Sequence, residues 1–308
     1  MTTLIDLATT TAACEIQRSV LAVNGGDAES FLQGQLSQDV ASLRQGQSAW
    51  SLVLQPQGRI DAFVRVSRLG SEQFVLDTDG LVEPLVDRLE RFKLRTQVVI
   101  EPLQWLGIAV RGPEASRYLG QDAVQAAVSS EVPIGGVDIL GVDLVWPSDL
   151  PCMDAATFEV HRIRSGWPRT GSEINQRTIP AEAEVVSFTV SFTKGCFVGQ
   201  ELVARMDSRG NTAPRYLRVL TFAEQADIAC GEPIIASSEL GVDEQDEVGT
   251  ITSVAWDAIN GETVALGYVK RNVAMPAVLY VAGCVAQVSA VPRDGSFVGS
   301  VHQDLRHH

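Results

Sequence analysis

Closely spaced short β-prone runs leave a chain few ways to fold, and after Pro214 this sequence becomes a series of them. Leu217 to Phe222, Pro233 to Ile235, Val248 to Val254, Val264 to Val269 and Val278 to Val281 are rich in branched and aromatic residues. Turn residues separate them at close intervals. Strands this short bury little alone, and closing them on one another removes exposed edges. The pattern predicts a separate small antiparallel barrel of about 90 residues.

Upstream of Pro214, strands and helices mix without the regular alternation of a doubly wound sheet. Residues 1–17 read as a loosely fixed lead-in. Ser19 to Val23 reads as a strand, Asn24-Gly25-Gly26 as a turn, and Asp27 as the N-cap of a helix through Phe31, Leu32 and Leu36. Ala49 to Leu54 is a strand with Trp50, Leu52 and Leu54 on one face. Gln55-Pro56-Gln57-Gly58 has turn composition, and Arg59 to Val66 returns. Asp79 is placed to cap a helix whose Leu81, Val82, Leu85, Val86, Leu89 and Phe92 repeat at helical spacing. Gln97 to Ile100 and Leu106 to Val110 are strands, with Pro113 in the first turn of a further helix. Thr157 to Ile163 is helical. The whole reads as α+β, ferredoxin-like in part.

Composition excludes several functions. The chain has 308 residues and a net charge of −14, which disfavours tracking a phosphate backbone and predicts no direct nucleic-acid binding. Arginines do gather locally, at Arg162, Arg164, Arg169 and Arg177 and at Arg205, Arg209, Arg215 and Arg218, as solvated surface or as pockets for a small anion. The run Glu239 to Glu247, with five acidic residues, reads as a solvated loop. No apolar run has membrane-spanning length, and Met1 to Asp6 lacks a basic-then-apolar leader, so the expected location is cytoplasmic. Five widely spaced cysteines without a CxxC pair fit a reducing compartment. Four histidines, three of them in the C-terminal tail, offer no zinc-ligand spacing, and no metal site is expected.

The densest chemistry lies in Lys194-Gly195-Cys196-Phe197-Val198-Gly199-Gln200-Glu201, continuing to Arg205. Lys194 contributes a mobile ammonium. Gly195 and Gly199 allow positive φ or close approach. If the ammonium nears Cys196, the thiolate becomes accessible, but no histidine stands near as a base. Cys196 is therefore read as a nucleophile, a ligand contact or redox-sensitive thiol, or a small buried residue in a tight bend. Lys194 and the arginines suit a ligand bearing carboxylates. Asp61, on the strand after Gly58, is either an outward charge or a group that hydrogen-bonds a ligand and moves a proton. The amides of Gln33 to Gln38 are read as surface groups or as a pocket lining.

Lys194 to Glu201 resembles the K-G-C-[YF]-x-G-Q-E signature of the YgfZ-type folate-binding proteins, relatives of the T protein (aminomethyltransferase) of the glycine cleavage system. Phe31 to Val40, Pro56-Gln57-Gly58-Arg59-Ile60, Arg162 to Pro168, Ile179-Pro180, and Ala265 to Val269 resemble further family elements in the expected order. The resemblance implies a three-domain ring around tetrahydrofolate, or a folate derivative. A discontinuous first domain (residues 1–48 plus 150–212) would enclose a ferredoxin-like domain (49–149), followed by a C-terminal antiparallel β-barrel (213–308). It implies Lys194, Cys196, Gln200, Glu201, Arg205 and Arg164 as cofactor-associated positions, with Asp61 near the column of the T protein's catalytic aspartate. It also implies a role in assembling or repairing iron–sulfur clusters, with iron–sulfur assembly or client proteins as partners and effects on tRNA-modifying enzymes. One position departs. Where the T protein has a glutamate that grips the pterin, this chain has Arg164, and a guanidinium accepts no hydrogen bond.

Two other function classes follow from the same residues. One is a folate-dependent aminomethyl or one-carbon transferase using Asp61. The other is a thiol-based redox or interaction protein using Cys196. The signature favours an accessory protein with little or no turnover of its own.

Overall fold

The computed structural model describes residues 4–119, 127–131, 135–207, 210, 212–236, 246–292 and 298–303. Most of the acidic run Glu239 to Glu247 lies outside them, as do Arg209, His307 and His308. In chain order the strands are β1 (Ala12–Ile16), β2 (Ser19–Asn24), β3 (Gln47–Leu54), β4 (Ile60–Arg68), β5 (Gln73–Thr78), β6 (Val99–Leu103), β7 (Leu106–Arg111), β8 (Ala127–Glu131) and β9 (Val137–Gly141). Then come β10 (Arg215–Phe222), β11 (Pro233–Ala236), β12 (Asp246–Asp257), β13 (Glu262–Lys270), β14 (Ala277–Val281), β15 (Cys284–Ala290) and β16 (Val298–Gln303). The α-helices are α1 (Ala28–Gln35), α2 (Val82–Phe92), α3 (Ala155–Arg164), α4 (Val186–Thr189) and α5 (Gln200–Asp207). The chain divides into two compact units: a sheet unit (7–153, 186–204 and 295–308) and a barrel unit (1–6, 154–185 and 205–294).

The sheet unit is built on ten strands in the order β1-β7-β9-β8-β16-β3-β4-β5-β2-β6. Its longest hairpin, β3–β4, closes through Gln55-Pro56-Gln57-Gly58. Gly58 N–H donates to the Gln55 carbonyl at 2.8 Å and Gly58 sits at φ +70°. Proline supplies the fixed φ of the turn and glycine its left-handed exit. Alternate residues of β3 reach opposite faces. Ala49 and Val53 join Leu32, Leu36, Val64 and Leu85 in the core beneath α1 and α2. Trp50 lies on the other face and packs on Phe63, which meets Phe188 of α4. The face expected for Trp50, Leu52 and Leu54 is real, but its opposite is buried as well.

Three local expectations are corrected. The lead-in is fixed: β1 pairs with β7 over five residues, and Ala12 and Ala13 are fully buried. Asp27 stands at the N-cap position of α1 but makes no capping bond; its carboxylate accepts the Gln97 N–H instead, at 2.7 Å. The N-cap of α2 is Leu81, not Asp79, so the helix starts later than its apolar spacing indicates.

Charge also runs through this unit. Arg65 of β4 is fully buried. It donates to both Asp77 oxygens, at 2.9 and 3.1 Å, and to Asp138 of β9 at 3.2 Å. Arg18 donates to Asp77 at 2.8 Å, and Arg111 to Asp138 at 2.8 Å. Burial opposes the Arg65 charge, but the two aspartates outweigh it and raise its pKa. Burial likewise opposes the Asp138 charge, and Arg111, Arg65 and Arg18 more than offset that, holding its carboxyl below the usual range. The indole of Trp50 stacks under Arg65 and Arg18 at 5.3 and 5.5 Å.

The barrel unit matches the expectation of an antiparallel barrel. Six strands close in the order β10-β13-β12-β11-β14-β15, with Arg218 to Thr221 of β10 pairing Gln287 to Ala290 of β15. Strand β15 escaped the sequence reading, because its Ala-Gln-Val-Ser stretch carries little β character. Leu220, Phe222, Ile234, Ile251, Leu279 and Val288 fill its interior. Helix α3, capped by Asp154 accepting the Thr157 N–H at 2.8 Å, packs on β12 and β13.

Removing Arg65 would leave two buried aspartates short of a partner. Arg65→Met is expected to lower stability by about 3–5 kcal/mol, read from the urea midpoint of the full chain. A loss below ~1 kcal/mol would show that the aspartates do not rely on it.

Candidate functional site

The Lys194 side chain is not mobile. It is 9% exposed, and its ammonium donates to the carbonyls of Gln33 and Leu36 at 2.6 Å each and of Gln38 at 2.9 Å. These carbonyls belong to the last turn of α1 and the segment leaving it. A helix C-terminus has unpaired carbonyls and partial negative charge, so a buried cation there satisfies both. The Phe197 ring lies 5.2 Å from the same nitrogen. Burial pushes the Lys194 ammonium down to about 8, with Asp39 pulling the other way.

The chain around that cage is hydrogen-bonded into it. Ser37 Oγ donates to the Thr189 carbonyl at 2.6 Å and accepts the Leu52 N–H at 2.9 Å. Ser191 N–H donates to the Ser37 carbonyl at 3.0 Å. Gln33 accepts from Val40 N–H and donates to Asp39, both at 2.8 Å. Gln38 donates to the Phe188 carbonyl at 3.2 Å. The amides weighed as a pocket lining thus fold their own loop.

Beyond Lys194 the loop turns outward. Cys196 is exposed, which removes the buried-bend reading of that thiol. Gly195 is not at positive φ and a methyl there would meet nothing within 4 Å. Gly199 is at φ +81°, and a methyl would sit 2.5 Å from the Gln55 carbonyl. A methyl on Gly58 would in turn meet the Leu202 side chain at 2.8 Å. Only the second glycine of the motif therefore does the conformational task assigned to both. Gly199 and Gly58 seat the β3–β4 hairpin against the start of α5. Gln200 opens α5, its side-chain oxygen accepting the Phe197 N–H at 3.3 Å, and Glu201 is exposed beside it.

Asp61 lies on that same hairpin. It accepts from Gln55 Nε2 at 2.8 Å and pairs with Arg88 of α2 at 3.4 Å. Arg88 also donates to Gln35 at 3.1 Å and covers the Phe92 ring at 3.9 Å. Burial pulls the Arg88 guanidinium below its ordinary value, with Asp61 acting against it. Arg88 had no sequence signal: it is 27 positions from Asp61 and looks like any helix-surface arginine.

Lys194, Cys196, Gln200, Glu201 and Asp61 all belong to the sheet unit, whereas Arg164 and Arg205 belong to the barrel unit. Arg164, in the last turn of α3, donates to Asp257 and Glu262 at 2.7 Å each, on the two strands of the β12–β13 hairpin. Burial opposes its charge and the two carboxylates outweigh that, raising its pKa. Its neighbour Arg162 is buried and donates to Glu159, Glu173, Ser253 and the Trp167 carbonyl. The first arginine cluster is thus at least half structural. Among the described residues no group of three or more histidines, cysteines or acidic residues is placed to hold a metal.

A family model described as the GCVT N-terminal domain matches residues 16–138. The chain is similar to a Mycosarcoma maydis protein named iron-sulfur cluster assembly factor IBA57 homolog, mitochondrial. The two are 28% identical over 216 residues, covering 63% of this chain and 53% of that protein. It is 24% identical over 211 residues to the tRNA-modifying protein YgfZ of Colwellia psychrerythraea, covering 62% of this chain and 65% of that one. The matched stretch spans less than two thirds of either relative. Among solved structures, glycine cleavage system aminomethyltransferase T from Bartonella henselae shares the fold: TM-score 0.76 and 20% identity over 93% of this chain and 87% of that one.

The two motif glycines should separate on mutation. Gly199→Ala is expected to cost about 2 kcal/mol or more, while Gly195→Ala stays within ~0.5 kcal/mol; equal losses by thermal melting would refute the distinction. Lys194 should titrate near 8 rather than at the ordinary 10.5. Between those values the unfolded chain keeps a proton that the folded chain has released, so this group's contribution to stability rises with pH. The chain has three lysines, Lys93, Lys194 and Lys270. The Lys194 Cε resonance can therefore be assigned by its absence from a Lys194→Arg sample and its midpoint read directly. A midpoint above 10 would sink the assignment.

Proposed function

We propose that the chain is a YgfZ-type protein of the GCVT superfamily and a tetrahydrofolate-binding accessory protein for iron–sulfur cluster assembly or repair. Its effects would reach iron–sulfur enzymes, including those that modify tRNA. The observation that carries this reading is the division of labour within the signature loop. Lys194 fastens the loop to α1, and Cys196, Gln200 and Glu201 follow on a segment whose ends are fixed. Such a segment holds binding groups in place without further ordering cost.

The residues fit a folate in part. Glu201 has no partner among the described residues and offers the acceptor a pterin's N–H groups need, with the Gln200 amide beside it. Arg164 does not fit the pterin-gripping role, since it is a donor already directed at Asp257 and Glu262. Bound tetrahydrofolate would supply a one-carbon acceptor and an oxidisable ring. The chain's own contribution would be to bind and orient it, with Lys194 setting the loop from behind, Cys196 at its exposed edge and Arg205 in the last turn of α5. We take the three-part division at residues 48/49, 149/150 and 212/213 as the family's plan for this chain. No described helix is long and apolar enough to cross a membrane, and we place the protein in the cytoplasm.

Aminomethyl or one-carbon transfer is the second reading. What favours it is that Asp61 sits on the hairpin laid against the signature loop. What weighs against it is the Arg88 and Gln55 pairing, which already occupies both carboxylate oxygens. The two readings separate cleanly in solution. Calorimetry should detect tetrahydrofolate binding at submillimolar ligand, with Glu201→Ala weakening it about tenfold; no heat with folded protein ends the folate reading. Incubation with tetrahydrofolate and an aminomethyl donor should yield no methylenetetrahydrofolate, and a yield abolished by Asp61→Asn would establish the transferase instead. Deletion of the gene should lower iron–sulfur enzyme activity under oxidative stress.

A further inference from the structure

The segment joining α2 to β6 has a composition unlike the rest of this acidic chain. Arg91-Phe92-Lys93-Leu94-Arg95 carries three cations and no acid, in a protein of net charge −14. The Arg91 and Arg95 side chains are exposed and have no hydrogen bond or ion pair among the described residues, and only Lys93 is paired, with Glu90 at 2.6 Å. The apolar residues between and after them also face solvent: Phe92 is 42%, Leu94 81% and Val99 52% exposed. Scattered exposed leucines are ordinary, but two large apolar side chains, Phe92 and Leu94, interleaved with three cations over five residues offer two kinds of contact.

The segment is also held in shape. Lys93 N–H donates to the Glu90 carbonyl at 3.2 Å, and Thr96 donates to the Lys93 carbonyl through its N–H at 3.3 Å and its hydroxyl at 2.8 Å. Arg95 is left-handed at φ +61°, a conformation that costs a non-glycine residue about 1 kcal/mol or more and needs its surroundings to hold it. On the far side, the Gln97 N–H is gripped by Asp27, and Gly25 lies so close to the Gln97 carbonyl that a methyl would stand 2.1 Å from it. Asp27, which the sequence marks for helix capping, serves this anchor. Strand β6 follows at once and ends the strand order, pairing only with β2 among the described strands. The segment is therefore a fixed display next to a sheet edge.

The geometry points to a docking surface for an acidic, amphipathic segment of a partner protein. Carboxylates of that segment would pair with Arg91 and Arg95, and its apolar side chains would cover Phe92 and Leu94. Charge complementarity selects an acidic occupant, and the aliphatic character of the patch selects a polypeptide. A single-stranded nucleic acid would ask for open aromatic faces. The one aromatic here, Phe92, already has a face covered by Arg88 at 3.9 Å, and the remaining negative charge of the chain repels a polyanion beyond the patch. Peptides that run beside a sheet edge gain main-chain contacts as well, and Pro102, which lacks an N–H, limits that gain to the start of β6.

Fluorescence anisotropy with the full-length protein tests this directly. The probe is a labelled peptide alternating glutamate with leucine. It should bind, and its glutamine counterpart should bind about tenfold more weakly. Leu94→Ser and Arg91→Glu, both at exposed positions, should each weaken it about fivefold or more while leaving tetrahydrofolate calorimetry unchanged. No binding of the glutamate peptide overturns the proposal, as does binding that both variants retain. Tighter capture of an oligouridylate or of phosphatidylglycerol vesicles than of the peptide also overturns it, by giving the surface to another class of partner.

Discussion

Arg65 is the point on which the sheet unit turns. Its guanidinium has no route to water, so the chain had to bring two carboxylates to it from β5 and β9. Those strands stand on opposite sides of β8 and β16 in the sheet order, and the ion chain from Arg18 through Asp77, Arg65 and Asp138 to Arg111 joins them by side chains. Alternating sign along such a chain lets each buried charge offset the desolvation of the next. The hairpin that carries Arg65 also carries Gly58 and Asp61 at its tip. The ion chain and the turn against which the signature loop is seated therefore share one hairpin.

On that support the loop separates two roles that its residue types suggest are joined. A lysine two positions from a cysteine invites the idea of an activated thiol. Here the ammonium faces inward to three carbonyls, and the thiol faces outward. The lysine acts on the backbone of α1 and not on the sulfur. Asp61 is handled in a similar way, since Gln55 and Arg88 occupy the carboxylate that a base would need free.

The parts of this architecture legible in the sequence are those fixed by local chemistry. The Pro56 and Gly58 turn, the short strands after Pro214 and helix α3 each depend on residues adjacent in the chain. The ion chain was not legible, because Arg18, Arg65, Asp77, Arg111 and Asp138 are spread over 121 positions and nothing marks one arginine as buried. Nor were the partners of Lys194, since they are main-chain oxygens and carry no residue signature at all. Asp27 shows a third kind of limit. Its position at a helix start is correct, yet a competing N–H from Gln97, distant in sequence, takes its carboxylate. Arg164 stands out in the sequence as a departure from a family pattern, while its destination, the Asp257 and Glu262 carboxylates, becomes visible only once the barrel is closed.

The lysine that completes α1 arrives late. Its three carbonyl partners are separated from it by 156 to 161 positions. At about 5–20 residues per second of synthesis, the exposed end of α1 waits roughly 8–30 seconds for its cap. During that interval the N-terminal strands must hold the helix by packing alone. A nascent chain stalled before residue 194 would present a sheet with an unfinished helix end and no signature loop, which is the form a chaperone or protease would meet first.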